Sequence, residues 1–200
     1  MGVKQGLLQA KSVSYTRVQR SKARLRWAIL EGHGHDTPDT LTQALVAGSA
    51  IASEENVQWL LSHVASAPFA TREVRVVEEL RGKEYLGYRF GLSAPSGLAH
   101  LGKRVIVEKQ WTVGTTFQQY VDDLRFAVRH PARRLAVFRS RGLHYAGVLS
   151  PNTIPDERRG EHGQAYLWIV YDSDHGTIVT GYQVSGTGTI SLPKDARWLI

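Results

Sequence analysis

The feature that most constrains this chain is a change of apolar period near residue 70. Upstream, Leu41, Leu45, Val46 and Ala50, and then Val57, Leu60, Leu61 and Val64, recur at helical spacing. Downstream, apolar and polar residues mostly alternate around glycine-centred breaks, the pattern of half-buried strands joined by hairpins. "RLAVFRSRGLHYAGVLS" predicts a hairpin turning at Arg141-Gly142, and "AYLWIVYDSDHGTIVTGYQV" another turning at Asp174-His175-Gly176. "REVRVVEELRGKEYLGYRFGL" reads as an earlier hairpin turning at Arg81-Gly82-Lys83, "SAPSGLAHLG" as a loop and "KRVIVEKQW" as a further strand.

Local signals set the helices. Thr40 or Asp39 can cap a helix running to about Ile51. Ser53 can cap another that ends before Pro68, with Glu54 and Glu55 in its dipole-favoured first turn. Thr115 or Thr116 opens "FQQYVDDLRFAVRH", whose Phe117, Tyr120, Leu124 and Val128 form one apolar stripe before Pro131 stops it. Residues 17–30 suit a helix and almost equally a strand. The expected fold is therefore α+β: a helical N-terminal part, residues 1–70, then a mainly antiparallel sheet with one helix packed across it, residues 71–200, the two forming either separate units or one continuous domain.

Charge is uneven. Residues 1–30 hold seven basic groups and no acid; residues 31–100 hold five basic and nine acidic; residues 101–200 hold thirteen and nine. Basic ends favour polyanions, RNA above all, with Arg17, Arg20, Lys22, Arg24, Arg133, Arg134, Arg158 and Arg159 as the expected contacts. Five tryptophans could stack on bases, although Trp more commonly anchors a core. The chain has no cysteine, which excludes disulfides and thiolate metal sites and fits a reducing cytoplasm. No apolar run approaches the length of a membrane span, nor is there a signal-peptide core. A cytoplasmic location is expected.

Several chemistries can be set aside. His33 and His35 with Asp36 or Asp39 could offer imidazole and carboxylate ligands, but the flanking glycines mark a loop and no third and fourth ligand is identifiable, so no metal site and no cofactor is expected. There is no GxxxxGK[ST] loop and no GxSxG elbow, which argues against nucleotide hydrolysis and α/β-hydrolase chemistry. What remains clusters in the C-terminal half. Arg139 and Arg141 bracket a turn, with His144 just beyond it. His162 lies in the fourteen-residue polar loop "PNTIPDERRGEHGQ", and His175 in the last turn. Thr180 and Tyr182 share a strand face with Ile178 and Val184. Metal-independent RNA cleavage needs a base for the 2′-hydroxyl, an acid for the leaving 5′-oxygen, and donors around the phosphorane. Histidine, arginine and strand hydroxyls can supply all of these.

The order helix, hairpin, loop, hairpin over residues 115–184, ending in "VYDSDHGTIVTGYQ", resembles the barnase–EndoU–colicin–RelE-like ribonuclease toxins of bacteria. The likeness is confined to the C-terminal half. It implies a small antiparallel sheet that cleaves RNA without metal, acting on tRNA or another structured RNA, and, for a toxin, a cognate inhibitor protein. By that resemblance Thr180 and Tyr182 match the strand hydroxyls, while His144 and Arg139 or Arg141 match the acid–base and phosphate positions. Such enzymes often add a His or Lys in or near an earlier helix; His130, Lys103 and Lys109 are the candidates here. The competing readings are a non-catalytic nucleic-acid-binding protein, and an interaction module whose terminal "ARWLI" packs on a partner.

Overall fold

The computed structural model describes residues 37–200, and expectations for residues 1–36, among them Arg17, Arg20, Lys22, Arg24, His33 and His35, lie outside it. Helix α1 (Pro38–Ala47) starts at a capping box on Thr37, ahead of the expected cap at Asp39 or Thr40, because Pro38 fits the first turn and Thr37 and Thr40 satisfy each other's N–H. Helix α2 (Glu54–Ser66) starts at Ser53, whose hydroxyl accepts from the Asn56 N–H at 3.2 Å. Helix α4 (Phe117–Val128) starts at a second capping box, between Thr116 and Gln119.

Five antiparallel strands form the sheet: β5 (Arg134–Ser140), β6 (Leu143–Pro151), β7 (Tyr166–Asp172), β8 (Thr177–Val184) and the short β9 (Arg197–Trp198), in the order β8-β7-β6-β5-β9. Alternation sorts its side chains onto two faces. Leu135, Val137, Ala146, Val148, Leu167, Ile169 and Tyr171 pack against α1, α2 and α4 in one continuous core. Residues 38–66 thus share their core with the sheet. The other face carries Ala136, Phe138, Leu149, Trp168 and Val184, partly roofed by Ile190, Leu192 and Ala196 from the C-terminal segment. "ARWLI" lies within the chain's own sheet, because β9 pairs with β5 and the Leu199 N–H donates to the Leu135 carbonyl at 2.8 Å.

A bulge re-aims β8. Val170 pairs with Thr180 and Tyr171 with Ile178, so Val179 is the extra residue. Ile178 consequently enters the helix-side core, whereas Thr180 and Tyr182 point to the opposite face. Strict alternation had placed all three together.

Residues 71–107 differ most from expectation. The turn at Arg81-Gly82-Lys83 joins no long hairpin. Instead β1 (Glu73–Arg75) pairs with β4 (Ser93–Pro95), and the two-residue strands β2 (Glu84–Tyr85) and β3 (Tyr88–Arg89) turn at Leu86-Gly87. "SAPSGLAHLG" is no loop; it contains α3 (Ser96–Gly102). "KRVIV" is no strand; it continues α3 as a π-helical turn over Lys103–Val107. Packing explains the reversal. A Cβ at Gly97 would lie 2.6 Å from the Phe117 ring and one at Gly102 2.5 Å from Phe90, so the glycines that read as loop are what let this helix approach its neighbours.

Candidate functional site

β8 is an edge strand, and its outward backbone groups are satisfied by other elements. Ile178 donates to the Pro68 carbonyl at 2.8 Å and accepts from the Ala70 N–H at 2.8 Å. At Gly181 the Tyr120 hydroxyl donates to the carbonyl at 2.8 Å and accepts from the N–H at 3.2 Å, while Arg104 Nε donates to the same carbonyl at 3.0 Å. At Gln183 the Gln110 side chain accepts from the N–H at 2.9 Å and donates to the carbonyl at 3.0 Å. Covering the edge in this way fixes α3 and its π-helical extension at the rim of the face that carries Thr180 and Tyr182.

A polar cluster forms at that rim. His100 Nδ1 lies 3.2 Å from Thr180 Oγ1, and Arg104 Nη2 donates to the same hydroxyl at 3.1 Å. The Arg104 guanidinium stands 4.8 Å from the centre of the Tyr182 ring and pairs with Glu108, which also takes Lys103 Nζ at 3.1 Å. His100, Thr180 and Tyr182 are half-buried, Arg104 is only 5% exposed, and Arg72 is open to solvent. Arg72 is tied to the start of α3, its carbonyl accepting from the Ser96 N–H at 2.9 Å.

Electrostatics follow from that placement. Burial, and then the charges of Arg104, Lys103 and Arg72, lower the His100 imidazole from its ordinary 6.5 to about 4, so the ring is neutral at pH 7. Burial alone would raise the Glu108 carboxyl, but Arg104 and Lys103 overcome it and hold the group below its usual range. Burial raises the Tyr182 hydroxyl, which stays a protonated donor.

Thr180 and Tyr182 share a face and each contacts Arg104. His144 and Arg139 do not join them. These two pair with each other across β5 and β6 and belong to the opposite, helix-side face. There His144 serves as a tie: its N–H and ring hold Asp174, and its carbonyl accepts from the Ser173 N–H and hydroxyl. Arg141 occupies the exposed turn near Tyr145.

The other arginines are dispersed. Arg133 is tied to Gln58 and the His130 carbonyl. Arg134 stacks over Trp198, its guanidinium 4.4 Å from the ring centre. Arg158 holds Asp123, 4% exposed, which also accepts from the Trp111 indole at 3.1 Å. Arg158 also lines a groove of about 680 Å³ between α2 and α4. Arg159 bonds the Ile154 carbonyl and Asp156. Of the earlier-helix candidates only Lys103 reaches the cluster; Lys109 pairs with Glu161, and His130 Nδ1 accepts from the Ala132 N–H.

Sequence reasoning missed His100 and Arg104. Their spacing with Glu108, four residues each, was the available signal, hidden by reading "KRVIV" as a strand. Among the described residues no group of three or more His, Asp or Glu could hold a metal ion, and no helix is long and apolar enough to cross a membrane. No family model, curated protein or solved structure gives a significant match to this chain.

Proposed function

We propose that the protein is a metal-independent RNA endonuclease in which His100 and Thr180 form the proton-transfer and phosphate-binding centre. The observation that carries this reading is the contact between a neutral, half-buried imidazole and a strand hydroxyl, with three cations around it. The hydroxyl's valences are fully used in one arrangement. Thr180 Oγ1 accepts from Arg104 Nη2 and from His100 Nδ1–H, and directs its own proton onto a phosphate oxygen. His100 Nε2 then carries the free lone pair that takes the 2′-hydroxyl proton. The 2′-oxygen attacks phosphorus, the bond to the 5′-oxygen breaks, and the products are a 2′,3′-cyclic phosphate and a 5′-hydroxyl.

Accessible charge comes from Arg72 and Lys103. Arg104 is too buried to grip a substrate and acts as a positioning residue for Thr180 and Tyr182. A bound phosphodiester offsets the cations that oppose protonation of His100, making the ring a better base in the complex than in the free protein.

The test is incubation of the full chain with total tRNA in EDTA, followed by end-group analysis. Cyclic phosphate ends are expected. His100→Ala and Thr180→Val should lower the rate by about 10²-fold or more, while His144→Ala, on the other face, should leave it unchanged. Intact RNA with retained binding would replace this reading with a nucleic-acid-binding module.

A further inference from the structure

A second histidine on the same face is held by a buried carboxylate. Asp172, at the end of β7, is 3% exposed at its side chain, whereas the His175 side chain is 61% exposed. Asp172 Oδ1 accepts from the His175 N–H at 3.2 Å, and Oδ2 lies 2.8 Å from His175 Nδ1. A carboxylate only accepts, so Nδ1 carries the hydrogen in that bond and Nε2 is the nitrogen turned outward. The backbone bond alone would suffice to close the turn. The imidazole bond fixes the ring as well, the arrangement that orients a histidine for proton transfer.

Register places this pair beside the proposed centre. Asp172 pairs with Tyr145 on one side and Thr177 on the other, and the next row on that face is Gly147, Val170 and Thr180. Residues one row apart on adjacent strands lie about 7–8 Å from each other. In an in-line displacement the attacking and leaving oxygens flank phosphorus, so an acid anchored at Asp172 and a base anchored at Thr180, one row apart on one face, can serve its two ends. The charge of Arg72 bears on both His100 and Tyr145. Burial and then Asp172 raise the Tyr145 hydroxyl, so it remains a donor next to the pair.

We propose that His175, oriented by Asp172, is the general acid of this face, protonating the leaving 5′-oxygen while His100 deprotonates the 2′-oxygen. The proposal rests on the endonuclease reading above. One proton leaves the 2′-hydroxyl for His100 Nε2 and one leaves His175 Nε2 for the 5′-oxygen; the P–O2′ bond forms, the P–O5′ bond breaks, and solvent restores both rings. No oxidant or metal enters.

The experiment compares two oligoribonucleotides at the mapped cleavage site, one natural and one with sulfur in place of the bridging 5′-oxygen. A thiol ionises at about 8.5, so a thiolate departs without an acid, whereas the alkoxide needs one. His175→Ala and His175→Asn should cut the natural substrate about 10²-fold more slowly than wild type and the sulfur substrate at nearly the wild-type rate, whereas His100→Ala should be slow on both. Equal losses on both substrates, or no loss on either, would overturn the role of His175 and leave the endonuclease reading intact. Failure of the wild-type chain to cleave any RNA would remove that reading itself.

Discussion

Lowering the pH from 7.5 to 4.5 should remove a defined increment of stability through one side chain. His100 titrates at about 4 in the folded protein against an ordinary 6.5, because burial and then Arg104, Lys103 and Arg72 oppose its protonation. Between those values the unfolded chain binds the proton and the folded chain does not. Stability from the neutral ring is therefore complete above about 6.5 and is lost as pH falls towards 4. At pH 4.5 the loss works out at about 2–3 kcal/mol, on the order of a 10²-fold change in the folding equilibrium. Equilibrium urea unfolding of wild type and His100→Gln at both pH values isolates this contribution. Whatever glutamine costs at pH 7.5, the wild-type advantage should shrink by about 2–3 kcal/mol at pH 4.5. Glu108, held low by the same arginine and lysine, titrates in both proteins and largely drops out of the difference. Parallel pH curves for the two proteins would refute the account of burial and charge at this site.

Two further perturbations probe how the site is held. Tyr120→Phe removes the hydroxyl that serves both the N–H and the carbonyl of Gly181 in a fully buried setting; a loss of about 2–3 kcal/mol in urea unfolding is expected. Gly102→Ala sets two effects against each other. Alanine gains about 1 kcal/mol of helix propensity, but its Cβ would lie 2.5 Å from Phe90, and overpacking costs about 1–3 kcal/mol. Net destabilisation with reduced cleavage is expected, and a rise in melting temperature would show that α3 yields freely.

What could be read from the residues alone was whatever a few neighbours decide. Ser53 and Thr116 mark helix starts because a hydroxyl satisfying a free N–H three residues on is a local event. The Arg141-Gly142 turn was legible because a hairpin with positive φ at both central residues leaves a glycine mark. Alternation set Thr180, Tyr182 and Val184 on one face of β8. Long-range contacts settled the rest. Glycines 97 and 102 signal a break until Phe117 and Phe90 stand against them, and the β-branched "KRVIV" forms a helical turn that sets Arg104 against the strand edge. One inserted residue at Val179 separates Ile178 from Thr180, a shift that period-two reading does not anticipate.

The sequence by itself determined the α+β class, two of the helix starts and both C-terminal hairpins, since caps, turns and apolar periods act over a handful of residues. Only the tertiary structure decided which histidine meets Thr180. That choice depends on an edge strand whose unpaired backbone draws Arg104 and Tyr120 to Gly181, carrying His100 from eighty residues upstream and leaving His144 on the far side of the sheet.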